Sequence, residues 1–112
     1  MGKYMNVEDA MGRLGNNKKL YAMLLKKFNG TAMLEDLKNK LSGGDVVGSQ
    51  SQAHTIKGLA ANLSLQDLRE KAEAVELALK KSGTTDGIDT AEISESTEAT
   101  QEAVAAWISE NT

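Results

Sequence analysis

The sequence predicts an all-α fold: an antiparallel up-and-down four-helix bundle with a short extra N-terminal helix. Three observations carry this. Strong helix formers (Ala, Leu, Lys, Glu) dominate a chain with no proline, one Trp, one Phe and two Tyr. Apolar residues recur at helical spacing. The breaks between the periodic stretches are short, which favours antiparallel neighbours. The 112 residues suffice for one domain, 1–112, with one modest core.

The first helix is expected over 7–14, where Val7, Ala10, Met11 and Leu14 share one face behind a capping Asn6. Gly15, Asn16 and Asn17 end it and start the next. Residues 18–41 form a longer helical stretch with Leu20, Met23, Leu24, Lys27 and Phe28 beginning one face. Met33, Leu34, Leu37 and Leu41 continue that face. Gly30 weakens its middle, so a kink is expected, or two helices with Thr31 capping the second. Ser42-Gly43-Gly44-Asp45 is a clear break.

The third segment, 46–63, is expected to fray at its start, because Gly48, Ser49 and Ser51 are weak helix formers. Ser64 marks a turn. Residues 65–81 form the next helix, with Leu68, Ala72, Val75 and Leu79 on one stripe and Glu76 on its flank. A loop over 82–87 leads to the last helix, 90–109, capped by Asp89 or Thr90. Ile93, Thr97, Thr100, Val104, Trp107 and Ile108 supply its apolar side. Met5, Met11, Met23 and Met33 read as core filler and Trp107 as a partly buried anchor.

Charge and composition exclude several function classes. A net charge of −3 offers no concentrated basic surface for nucleic acid. Without cysteine there is neither a disulfide nor a thiolate metal site. No run of about 18 apolar residues exists to span a membrane, and residues 1–5 lack the apolar core of a signal peptide. A cytoplasmic monomer is the expectation. The Met1 start and the capped last helix favour a free-standing protein over a piece of a larger kinase.

The informative stretch is Ala53-His54-Thr55-Ile56-Lys57-Gly58-Leu59-Ala60-Ala61-Asn62-Leu63. At about 100° per residue, Ile56, Leu59, Ala60 and Leu63 fall opposite His54 and face the core. His54, Lys57, Gly58, Ala61, Asn62 and Leu65 fall on the outward side. The chain's one histidine therefore sits on a face of small residues with a cation beside it. A glycine inside a helix is unfavourable, and Gly58 one turn on implies clearance for an approaching protein.

An imidazole is nucleophilic near neutral pH and can accept a phosphoryl group on one nitrogen while the other keeps its proton. Phosphoryl transfer depends mainly on positioning and charge stabilisation. Lys57 can offset the charge of the attached group as a mobile point charge. In an antiparallel pair turning near Ser64, Glu76 comes level with His54, where a carboxylate can fix the ring tautomer. The competing reading makes Glu73 and Glu76 a solvated helix flank. The acidic residues between Glu92 and Glu102 read as solvated too.

His54, Thr55, Ile56, Lys57 and Gly58, followed by Ala60, Ala61 and Asn62, resemble the histidine phosphotransfer (HPt) domains of bacterial two-component phosphorelays. The stretches 20–28 and 68–79 are similar to the family's neighbouring helices. The resemblance implies that His54 is the phosphoacceptor and that Lys57 and Gly58 shape its site. It implies partners: response-regulator receiver domains and a sensor or hybrid histidine kinase. It implies no cofactor in this chain, with Mg²⁺ belonging to the receiver. One departure is Ser64, where the family commonly has Gly to help the helix turn.

Two readings from other classes stand beside this one. In the first, the bundle is a non-phosphorylated adaptor and His54 is incidental. In the second, His54 serves a metal or hydrolase site. One His without Cys makes a poor zinc site, and no Ser nucleophile has a base other than His54. No glycine-rich phosphate loop is present, so the expected activity is that of a phosphocarrier without its own nucleotide site.

Overall fold

Four helices begin at an Asn or Asp whose side-chain oxygen accepts a backbone N–H three residues on. Asn6 caps α1 (Val7–Arg13), Asn17 caps α2 (Lys18–Lys27), Asn29 caps α3 (Gly30–Ser42) and Asp45 caps α4 (Val46–Asn62). Two further helices, α5 (Gln66–Ser82) and α6 (Ala91–Asn111), complete the computed structural model, which describes residues 2–112. The reading of Met1 as the start of a free-standing protein lies outside the described residues. No strand occurs among the described residues.

The bundle consists of α3, α4, α5 and α6, each packed on the next, with α3 and α6 closing the ring. Helices α1 and α2 pack on one another and cover one end. The predicted bundle is therefore present, with two extra N-terminal helices where one was expected. The stretch 18–41 divides because Phe28 is extended (φ −71°, ψ 122°) and Asn29 caps a new helix beginning at Gly30. Thr31, the expected cap, is an exposed residue inside α3.

Gly30 has a packing reason that composition hides. A Cβ there would lie 2.9 Å from Phe28 Cζ, 3.0 Å from Gln101 Oε1 and 3.1 Å from Thr97 Cγ2. The Gly30 N–H donates to Gln101 Oε1 at 2.5 Å, so α6 satisfies an orphan donor at the start of α3.

Because the chain breaks at Phe28, no single stripe runs through 18–41. The buried face of α2 is Tyr21, Ala22 and Leu25, leading into Phe28, while Met23 is exposed. The reading of Met23 as core filler is thus corrected; Met5 is buried and Met11 and Met33 are partly buried. The start of α4 is also unlike the expectation. Asp45 folds over Gly48, whose missing side chain leaves room for the carboxylate, and Ser49 is fully buried. In α6, Thr90 holds the cap position without a side-chain bond, and Asp89 Oδ1 accepts the Ala91 N–H at 2.9 Å. Trp107 is partly buried, edge-on to Tyr21 with ring centroids 5.0 Å apart.

The α4–α5 turn fixes the register of the two helices that form the site. Ser64 adopts a left-handed conformation (φ 57°), which suits Gly and is strained for Ser. The geometry favoured by Gly is therefore present with Ser in its place. The Ser64 hydroxyl donates to Asp9 Oδ2 at 2.7 Å, the Asn6 N–H donates to the Ser64 carbonyl at 2.9 Å, and the Tyr21 hydroxyl donates to the Leu63 carbonyl at 2.7 Å. Helices α1 and α2 thus hold the turn. Leu65, read as outward-facing by extending the α4 wheel, is fully buried, because the left-handed residue before it redirects the chain.

Candidate functional site

Ile56, Ala60 and Leu63 are buried and Leu59 is partly buried, so the inner face of α4 is as its periodicity predicts. His54 projects from the opposite side with its side chain 67% exposed. From α5, the Glu76 side chain reaches under the ring. It is only 6% exposed, yet it holds its charge among several partners. Its Oε2 lies 3.0 Å from His54 Nδ1, and its Oε1 lies 2.8 Å from Lys57 Nζ. Lys80, one turn further along α5, places Nζ 3.4 Å from the same Oε2.

These contacts act on Glu76 in one direction. The Lys57 ammonium, then Lys80 and the imidazole, hold its carboxyl below the usual value, against the opposing effect of burial. Glu76 is therefore ionised and accepts hydrogen bonds only. A carboxylate oxygen 3.0 Å from Nδ1 requires a proton on that nitrogen, which leaves the Nε2 lone pair as the ring's free nucleophile.

Gly58 touches none of these groups. A Cβ there would meet nothing within 4 Å, so no internal contact requires glycine at this exposed position. Its absence of a side chain instead keeps the surface one turn beyond His54 low. Glu73 does not reach the ring; it lies 4.0 Å from Arg69 on the same helix, a partly exposed flank pair as expected. For Glu76 the solvated-flank reading is corrected, since the residue is buried beneath His54.

A family model, the Hpt domain, matches residues 28–108. The chain belongs to the Hpt family. No curated protein sequence matches it. Among solved structures, the chain is similar to the HPT domain of the Hpt sensor hybrid histidine kinase from Shewanella, with 16% identity. That match covers 98% of this chain and 97% of the other, with a TM-score of 0.80. At that identity the likeness shows the fold: an Hpt helical bundle.

Sequence reasoning brought His54, Lys57 and Glu76 together correctly and missed Lys80. The signal for Lys80 was available, because residues four apart on a helix share a face and Glu76 was already singled out. Among the described residues no group of three His, Asp or Glu could hold a metal ion, and no helix is long and apolar enough to cross a membrane.

Proposed function

We propose that this Hpt domain carries a phosphoryl group on His54 Nε2 between partners of a phosphorelay. The observation that carries the reading is the hydrogen bond from His54 Nδ1 to the buried Glu76 carboxylate, on a ring that is otherwise exposed. The bond holds the ring in one tautomer and one orientation, with Nε2 turned to solvent.

In the transfer, the Nε2 lone pair forms a bond to phosphorus. The bond from phosphorus to the donor's aspartyl oxygen breaks, and the carboxylate leaves with its electron pair. Nδ1 keeps its proton throughout. The return step to an acceptor aspartate runs in reverse. Lysine charge held at the Glu76 carboxylate, close to the ring, offsets the charge that the phosphoryl group brings.

The surface around the ring supports docking of a second protein. Val47, on the same α4 stripe two turns earlier, is 79% exposed, and Gly58 lies open one turn later. The partners are response-regulator receiver domains, which would bring their own Mg²⁺, and a sensor or hybrid histidine kinase. The protein works as a cytoplasmic monomer whose core is filled from one chain.

The test is transfer of label from a phosphorylated receiver domain in Mg²⁺ to the wild type and to His54→Gln. Acid-labile, base-stable label on the wild type alone is expected. A folded wild type that takes no label from the receiver or from a small-molecule phosphodonor would favour the adaptor reading.

A further inference from the structure

The two lysines at the site are not equivalent. Lys57 Nζ sits 2.8 Å from Glu76 Oε1 and its side chain is 27% exposed. Lys80 Nζ sits 3.4 Å from Oε2, sharing that oxygen with His54 Nδ1, and its side chain is 57% exposed. Lys57 lies partly buried against a buried anion. Lys80 lies on the surface, held loosely, on a long flexible stem.

A phosphoryl group on Nε2 would draw a cation towards it. If Lys57 moved, the buried Glu76 carboxylate would lose its closest partner, and leaving a buried charge poorly paired is costly. If Lys80 moved, Glu76 would keep both Lys57 and the imidazole N–H. The lysine released at least cost is therefore Lys80, which is also the better solvated. In the antiparallel pair His54 faces Glu76, so Lys80 stands beside the α4 turn that precedes His54, on the side of Val47.

We propose that Lys80 is the cation that meets the phosphoryl group, and that Lys57 is a positioning residue that holds Glu76 in place beneath the ring. This rests on the carrier reading of His54. It reverses the task that the His54-to-Lys57 spacing gives to Lys57. Lys80 offsets charge on the equatorial oxygens as the P–N bond forms, while Lys57 acts only through the Glu76 carboxylate and the ring tautomer.

The test uses phosphoramidate as donor, so that no partner protein is needed. Nε2 attacks phosphorus, the donor's P–N bond breaks and ammonia leaves. Wild type, Lys80→Met, Lys80→Arg, Lys57→Met and His54→Gln are compared by labelling rate, by thermal melting and by imidazole ¹⁵N NMR. Lys80→Met is expected to lower the rate about fivefold, the scale of one partly exposed charge contact, with an unchanged tautomer and melting curve. Lys80→Arg restores most of the rate. Lys57→Met is expected to lower the Nδ1–H tautomer population and the melting temperature.

A Lys80→Met protein that labels like the wild type would overturn the assignment, as would a Lys57→Met protein that loses rate with its tautomer intact. A folded wild type left unlabelled would overturn the carrier reading itself, and the lysine assignment with it.

Discussion

Lys57 and Glu76 meet at 2.8 Å across the groove between α4 and α5, and the imidazole hangs from the carboxylate's other oxygen. The site is thus built around a buried anion. This Glu76 carboxyl has its pKa lowered on folding from the usual 4.5, chiefly by Lys57. Its contribution to stability is therefore present above about pH 4.5 and lost as pH falls through the lower folded value. Glu76→Gln is expected to be less stable by about 1 kcal/mol at neutral pH, the worth of a typical net hydrogen bond. The gap to wild type should close in acid. Urea denaturation of both proteins from neutral to acid pH measures this, and a gap constant with pH would refute it.

Tyr21 makes the opposite pH prediction. Burial, aided by the Asp9 carboxylate, pushes its phenol from 10.0 up to about 12. A raised folded pKa means stability that is complete below the unfolded value and lost as pH rises through the folded one. Tyr21→Phe removes the donor to the Leu63 carbonyl and should cost about 1–2 kcal/mol at neutral pH. In alkali the variant should lose less than the wild type, which melting curves across that range would show.

Two glycines should respond with opposite signs. Gly30→Ala places a methyl group about 3 Å from Phe28, Thr97 and Gln101. It should destabilise by about 1–3 kcal/mol in spite of the better helix former, because overpacking outweighs propensity. Gly58→Ala meets nothing within 4 Å and should stabilise by about 0.5–1 kcal/mol. If Gly58 gives clearance to a partner, the same variant slows transfer from a receiver domain and leaves phosphoramidate labelling unchanged. Equal slowing with both donors would argue against clearance.

Ser64 separates strain from bonding. Its left-handed backbone costs about 1 kcal/mol relative to Gly, while its hydroxyl bonds Asp9. Ser64→Ala keeps the strain and loses the bond, so it should be the least stable of the three. Ser64→Gly should lie close to wild type. Denaturant midpoints would give the order, and Ala more stable than Gly would contradict it.

Much of this was legible in the sequence. The α5 stripe of Leu68, Ala72, Val75 and Leu79 is buried as its spacing predicts, and the outward position of His54 followed from the same arithmetic on α4. The two errors differ in cause. Leu65 was misplaced by carrying the α4 wheel across the backbone break at Ser64, whereas Met23 was misplaced within α2 itself, whose buried face is the neighbouring stripe of Tyr21, Ala22 and Leu25. A wheel holds only while the backbone stays helical, and local spacing does not reveal where a side chain from elsewhere, such as Gln101 at Gly30, will help to start a new helix. Glu76 was ambiguous because a carboxylate beside a buried stripe is usually solvated. Its burial depends on Lys57, from another helix.

The latch on the α4–α5 turn bears on how this unit can be excised or transplanted. The family match opens at residue 28, but Asp9, Asn6 and Tyr21 all bond the turn at Leu63 and Ser64. A fragment trimmed to the family boundary would leave the Leu63 and Ser64 carbonyls and the Ser64 hydroxyl without these partners. A chimera meant to keep the alignment of His54 over Glu76 must therefore carry the chain from at least Met5 onward. The two leading helices are part of the working unit, as a splint is part of a set joint.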